Sequence, residues 1–200
     1  VLGSGSDLDL EFAAGSSVNV STTGTGAIDL DGLGALTLSD VDTVNGAITA
    51  SSAGALTVTD VASGTNGNIV LSTSSGDITG LATVNAGSGN VTLNSAGAIV
   101  DDGSSGTVIT GGVLTADAAG GITIDSTVTS ANISTSAAGA VDLDETDAIT
   151  LTDVDTNDGT ITVDAGGALT VTDVASGTNG NIVLSTSSGD ITGLATVNAG

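Results

Sequence analysis

The sequence predicts an all-β chain that folds as a parallel β-solenoid with coils of about 20–22 residues. Segments of four or five residues alternate apolar and polar side chains between runs of Gly, Ser, Asn and Asp, as half-buried strands do. The first apolar residues of these segments recur at spacings that alternate between 8–9 and 12–13 residues. Because no stretch carries the apolar spacing of an amphipathic helix, each coil is predicted to consist of strands and turns.

These first apolar residues fall on two lines when one short and one long spacing make a coil. The first line holds Ile28, Ile48, Ile69 and Val91, and the second holds Leu36, Leu56, Ile78 and Ile99. Coils stacked at the strand spacing of ~4.8 Å would run each line along the core. A sandwich or barrel of antiparallel hairpins also supplies short strands, but it gives no reason for a near-constant two-strand period.

The interval 99–122 is less regular than the rest of the chain. Val108 and Val113 are both suitable as the first apolar residue of a strand in this interval. The spacing favours neither, so the strand assignment of the interval stays open between the two.

A larger repeat is superimposed on the coils. Gly54–Gly87 returns letter for letter as Gly167–Gly200, displaced by 113 positions. A unit of this length is predicted to hold about five coils, with a first copy over 1–113 and an incomplete second copy over 114–200. The whole of 1–200 is therefore interpreted as a single solenoid segment of a longer repeat array.

The composition restricts what the chain can bind. It has no Lys, Arg or His and 23 Asp and Glu residues, which gives a net charge of −23. Nucleic acid and anionic lipid are repelled by such a field, so we expect no nucleic-acid partner. No apolar run approaches the ~20 residues of a membrane span, so we expect no membrane insertion either.

The composition also argues against an enzyme. His, Cys, Lys and Tyr are absent, so the usual nucleophiles, general bases and oxyanion partners are missing. Carboxylate pairs alone could serve glycoside hydrolysis, but the single aromatic residue, Phe12, offers almost no sugar platform. We expect no catalytic residues in this chain.

Acidic clusters are the remaining candidates for a site, and the ion that they suggest is Ca²⁺. The stretch LTDVDTNDG at 151–159 resembles a calcium loop of the D-x-D-x-N-D-G kind, in which oxygen ligands and a Gly turn wrap a hard cation. The stretch LSDVDTVNG at 38–46 is a weaker version, and coil stacking should bring a further Asp onto each one. The predicted ligands are Asp153, Asp155, Asn157, Asp158, Asp173, Asp40, Asp42 and Asp60.

Other polar residues are expected to have structural roles. The acidic segments 29–32 and 142–147, together with Asp101 and Asp102, are interpreted as solvated turns. Asn68 and Asn90 each precede a first apolar residue, so they should stack at a corner and satisfy backbone groups of the turns.

Runs such as GNIVLSTSSGDITG at 67–80 and GNVTLNSAGAIVDD at 89–102 resemble the degenerate repeats of filamentous-haemagglutinin-type adhesins and giant β-strand-repeat bacterial surface proteins. The resemblance covers essentially the whole chain, and it implies a right-handed parallel β-helix at the cell surface or secreted from it. The expected function is a structural shaft of an extracellular filament, stalk or adhesin. Such a shaft would associate with further copies of itself, head to tail or laterally. The alternative is a calcium-binding module whose acidic rungs rigidify or cross-link a surface layer.

Overall fold

The computed structural model describes residues 6–106 and 108–200, and it shows a parallel β-solenoid of about 10 coils. The strands join one continuous parallel sheet, and the described residues contain no helix, so the predicted fold class is confirmed. A helix long and apolar enough to cross a membrane is accordingly not found in this part of the chain. The first five positions of the expected repeat unit, and Thr107 within 99–122, lie outside the described residues.

In the part of the chain that the structure describes, the sheet contains 22 strands, most of them three to eight residues long. In chain order they are β1 Leu8–Phe12, β2 Ser16–Ser21, β3 Ile28–Gly32, β4 Leu36–Asp42, β5 Ile48–Ser52, β6 Leu56–Val58, β7 Asp60–Ala62, β8 Ile69–Thr73, β9 Ile78–Leu81, β10 Thr83–Asn85, β11 Val91–Ser95, β12 Ile99–Asp101, β13 Ile109–Ala118, β14 Ile122–Thr135, β15 Val141–Glu145, β16 Ile149–Thr156, β17 Ile161–Ala165, β18 Leu169–Val171, β19 Asp173–Ser176, β20 Ile182–Thr186, β21 Ile191–Thr192 and β22 Thr196–Ala199.

Both predicted lines of apolar residues form the core. Every residue in either line pairs with the next one in that line, and all eight are no more than 1% exposed. Each fully buried aliphatic side chain contributes about 1.5–3 kcal/mol relative to an exposed one, so these ladders supply most of the stabilisation. Along these two lines no aromatic residue is needed, because each aliphatic side chain meets a similar one in the adjacent coil.

In the interval 99–122, neither Val108 nor Val113 is the first residue of a strand, because β13 begins at Ile109. Val108 is buried just before β13, whereas Val113 lies within that strand and faces solvent. Leu114 takes the core position instead, where it pairs with Val91 of the coil below. Residues 102–106 leave the stack as an exposed connection.

The 113-residue repeat does not correspond to a whole number of coils. Five successive pairings lead from Ile28 to Ala131, but Val141, the repeat counterpart of Ile28, lies half a coil further on. Val141 instead continues the line of Ile99 through Ile122. Identical segments of the two copies therefore occupy different faces of the solenoid, which corrects the expectation of about five coils per repeat.

Glycine at the start of successive strands has a steric cause. A Cβ at Gly46 would overlap the carbonyl oxygen of Gly26 in the coil below, and Gly67 stands in the same relation to Gly46. Gly159 repeats this relation with Gly139 in the second copy. The backbones of stacked corners approach so closely that only a residue without a side chain fits there.

Candidate functional site

Coil stacking brings together the first predicted acidic cluster, Asp40, Asp42 and Asp60, which we call the first rung. Asp40 and Asp42 lie on β4 and Asp60 begins β7, and the pairing of Val41 with Val61 sets Asp40 and Asp60 in adjacent coils as predicted. The Asp40 Oδ2 atom also accepts a hydrogen bond from Asn19 Nδ2 at 2.9 Å. The rung is therefore a surface cluster of three carboxylates with one amide donor.

Burial and uncompensated charge make the ionisation of Asp42 and Asp60 unfavourable. Burial, then the hydrogen bond and charge of Asp40, then the charge of Asp60 raise the pKa of Asp42 to about 6. Burial and the Asp40 charge also raise the pKa of Asp60. The chain has no basic side chain to offset these effects, so relief comes only from protonation or from cations in solution.

The second rung consists of Asp153, Asp155 and Asp173, and its residues are stacked in the same way. The pairing of Val154 with Val174 sets Asp153 and Asp173 in adjacent coils. The pKa of Asp155 is raised by burial, then by the charges of Asp153 and Asp173. These carboxylates repel one another as those of the first rung do.

The wrapped loop expected at 151–159 is not present. β16 extends through Thr156 because Leu151 and Val154 enter the core, so Asp153 and Asp155 project from an extended strand. The turn that follows contains Asn157 and Asp158, and Asp158 Oδ1 accepts a hydrogen bond from Asn179 Nδ2 at 3.5 Å. Within residues 6–106 and 108–200, no three acidic side chains are grouped so that they could hold a metal ion. Calcium binding stays a prediction.

A third acidic feature was not anticipated. Asp125 pairs with Asp144 and Asp144 with Asp164, so three carboxylates stand in a file on successive coils. Ser185 of the next coil pairs with Asp164 and donates its hydroxyl to that carboxylate. The signal is visible in the sequence, because each Asp follows its strand's first apolar residue by three positions.

Two carboxylates of the file, Asp125 and Asp144, have raised pKa values. For Asp125 the causes are burial, then the charges of Asp101 and Asp144. For Asp144 they are burial, then the charges of Asp142 and Asp164. The surface beside the file is concave, with a cavity of about 190 Å³ that Asp125 and Asp144 help to line.

Glu145 corrects the interpretation of 142–147 as a solvated turn. Residues 142–145 belong to β15, as 29–32 belong to β3, and Glu145 is only 3% exposed. Its Oε2 atom accepts hydrogen bonds from Ser126 Oγ at 2.7 Å and Val128 N at 3.1 Å, and its Oε1 atom accepts one from Asp147 N at 3.3 Å. Burial raises the pKa of Glu145, although the bonds from Ser126 and Val128 oppose the shift.

At most corners of the solenoid the side chain that bonds to the turn is a Ser or Thr hydroxyl and not a carboxylate such as that of Glu145. Each such Ser or Thr donates a hydrogen bond to a turn carbonyl three or four residues later. The residues are Thr22, Thr43, Ser52, Ser63, Thr73, Ser95, Thr135, Thr156, Ser176 and Thr186. Sequence reasoning missed this pattern, although a Ser or Thr three or four positions before a turn Gly or Ala would have indicated it.

We expect Glu145→Gln to raise the melting temperature at pH 7.5, because it removes a buried charge with little change of volume. At pH 4 the gain should disappear, since Glu145 is then protonated in the wild type as well. Thermal unfolding followed by circular dichroism at both pH values checks this, with the exposed Glu11→Gln as the matched control. An equal effect of Glu145→Gln at both pH values would contradict the assignment of a buried charge.

The predicted asparagine corner is confirmed. Asn68 Oδ1 accepts a hydrogen bond from Asn90 N at 2.9 Å, and Asn90 Oδ1 accepts one from Val113 N at 3.1 Å. Each amide thus satisfies a backbone donor of the next coil. Among the described residues no buried side-chain N or O atom lacks a hydrogen-bond partner.

The chain matches no protein-family model, no curated protein and no solved structure. The class of protein is therefore defined by the fold itself, which is that of a solenoid repeat protein with parallel strands. Its surface presents the acidic rungs, whereas most of the Ser and Thr residues that bond to the corner turns are buried.

Proposed function

We propose that this chain is a structural shaft of an extracellular filament, stalk or adhesin. The observation that carries the proposal is the unbroken axial stacking of about 10 coils, each paired to its neighbours through both core lines. Such a stack gains length by adding coils and keeps a constant cross-section, because each coil contacts only the coils beside it. A spacer has to gain length without gaining width, and this stack of coils does so.

The extracellular location is supported by three properties of the chain. The runs at 67–80 and 89–102 resemble repeats of surface adhesins, and this resemblance implies a location at the cell surface or outside the cell. The absence of Lys and Arg also leaves no site for trypsin-like proteases, and the absence of Cys removes any dependence on redox conditions. Labelling of intact cells with an antibody against the folded chain tests the location, and labelling only after lysis would contradict it.

The repeat itself provides the test of the shaft. Gly167–Gly200 equals Gly54–Gly87, so an added copy of residues 88–200 would follow Gly200 as residue 88 follows Gly87. With coils stacked at ~4.8 Å, each added 113 residues should lengthen the particle by roughly 25 Å at unchanged cross-section. Small-angle X-ray scattering of chains with none, one and two added copies measures both quantities. Growth in all three dimensions, as for a compact domain, would reject a shaft.

The alternative is a module that binds calcium and stiffens as a result. The rungs of Asp40, Asp42 and Asp60 and of Asp153, Asp155 and Asp173 favour it. Burial and then the charge of neighbouring carboxylates raise the pKa of Asp42, Asp60 and Asp155, and a shared cation would relieve this repulsion. The gain in stability would then depend on the identity of the ion and not only on ionic strength.

For this alternative we expect millimolar CaCl₂ to raise the melting temperature more than MgCl₂ or NaCl at equal ionic strength. Asp155→Asn should remove the excess, whereas the exposed Asp190→Asn should retain it. If the three salts act alike, screening by diffuse ions accounts for the effect and specific calcium binding is excluded.

A further inference from the structure

A third line of paired residues runs along the core, and its character changes in the middle of the chain. Its aliphatic part consists of residues that pair from coil to coil and are completely buried, namely Val41, Val61, Val84 and Ile109. The next two coils continue the line with Ser126, which pairs with Ile109, and then with Glu145. Two polar side chains therefore occupy positions that aliphatic side chains fill in the preceding coils.

Glu145 is the only buried carboxyl group among the residues that the structure describes. It accepts hydrogen bonds from the Ser126 hydroxyl and from the backbone N–H groups of Val128 and Asp147. All three donors are neutral, so the carboxylate has hydrogen-bond partners but no counter-charge. Burying a charge in this way costs far more free energy than burying a hydrogen-bonded hydroxyl, which is what the other polar corners do.

The charged groups on the elements around Glu145 are all acidic. They are Asp125 of β14, Asp142 and Asp144 of β15, Asp147 in the turn after β15, Asp164 of β17, and Asp101 and Asp102 beside Asp125. The chain has no basic side chain that could offset them. Ionised Glu145 is therefore stabilised by contact with water and not by its neighbours in the fold.

The structure leaves space for Glu145 to reach water. A cavity of about 190 Å³ lies beside it, and the residues that line this cavity are Ser105, Gly106, Asp125, Asp144, Glu145 and Thr146. The Thr146 N–H donates to the Ser126 carbonyl at 2.9 Å and so holds the end of β15 against the neighbouring coil. Breaking this bond would separate Glu145 from Ser126 and admit water to the carboxylate.

We propose that residues 145–147 open away from Ser126 as the pH rises, which makes this coil a pH-sensitive weak point within the solenoid. The closed coil favours protonated Glu145, whereas opening brings the carboxyl group into water and releases its proton.

The sign of the effect follows from the burial of Glu145, which raises its pKa in the closed coil. In the open coil the pKa returns to the ordinary value of a glutamate. The stability that protonated Glu145 gives the closed coil is therefore complete below that ordinary value and is lost as the pH rises through the raised one. This inference concerns one coil and does not depend on the proposed shaft function.

Backbone amide exchange, resolved by NMR at pH 4 and pH 7.5, tests the opening. The Thr146 N–H reports on it directly, and the Ile69 N–H, which donates to the Asn90 carbonyl at 2.9 Å, is the reference in a coil away from Glu145. Protection factors remove the intrinsic effect of pH on exchange. Between pH 4 and 7.5 we expect protection to fall at least about tenfold more at Thr146 than at Ile69, because release of one proton shifts an equilibrium by up to about tenfold per pH unit. An equal fall at both amides would overturn the proposal.

Two substitutions remove the titrating group. Glu145→Gln keeps the size of the side chain, and Glu145→Ala introduces the residue that the next coil has at this position, Ala165. In either variant the pH dependence of protection at Thr146 should fall to that at Ile69, whereas the exposed Glu11→Gln should retain the wild-type difference. Because each comparison is made between two pH values within one variant, a general loss of stability does not imitate the result. A wild-type pH dependence in both Glu145 variants would overturn the proposal.

Discussion

Leu71→Ala is expected to destabilise the chain by about 2–5 kcal/mol, the usual loss for a leucine truncated in a core that cannot collapse around the cavity. Leu71 is completely buried between Ala50 and Leu93, its partners in the coils below and above. Urea unfolding measures the change. A loss of this size is large against the total stability of a natural domain.

The repeat supplies a matched control for this substitution. Leu184 has the same neighbours in sequence as Leu71 but lies in the last coil and is only partly buried. Leu184→Ala should therefore cost clearly less than Leu71→Ala. Equal costs would mean that local sequence, and not stacking by the next coil, determines the stability of each strand.

Stability is expected to rise as the pH falls from 7.5 towards 4. The carboxyls whose pKa is raised by burial and by neighbouring charge bind protons more tightly in the folded than in the unfolded chain. They are Asp29, Asp42, Asp60, Asp125, Asp144, Glu145 and Asp155. Their contribution is therefore greatest below the unfolded pKa and is lost as pH rises through the folded value. For Asp42 that window runs from about 4 in the unfolded chain to about 6 in the folded one.

Melting temperatures across this pH range, at low and high salt, measure the effect. For a chain of this length we expect about 2–4 °C for each kcal/mol regained. Added NaCl should raise the melting temperature at pH 7.5 more than at pH 4, because the repulsion that it screens is present only when the carboxylates are charged. Asp42→Asn should flatten part of the profile between pH 4 and 6. A stability maximum at neutral pH would contradict the raised pKa values.

Pairing along the two core lines could be predicted because it depends on two local regularities, the alternation within strands and the nearly constant coil length. The stacking of Asp40 on Asp60 followed from the same register. The file of Asp125, Asp144 and Asp164 could have been predicted in the same way, because each Asp lies three residues after the first apolar residue of its strand. The expected calcium loop was wrong as a loop because the motif's own apolar residues, Leu151 and Val154, hold it in an extended strand.

The sequence by itself determined the fold class, the direction in which most side chains point and the position of glycine at the corners. These follow from a period of two along each strand and from the steric demand for glycine at stacked turns. The tertiary structure alone decided that Leu114 and not Val113 continues the core after β11, that the repeat advances by an additional half coil, and that Glu145 is buried. Each of these depends on how coils of unequal length stack on one another, and stacking is a property of neighbouring coils that no single segment contains.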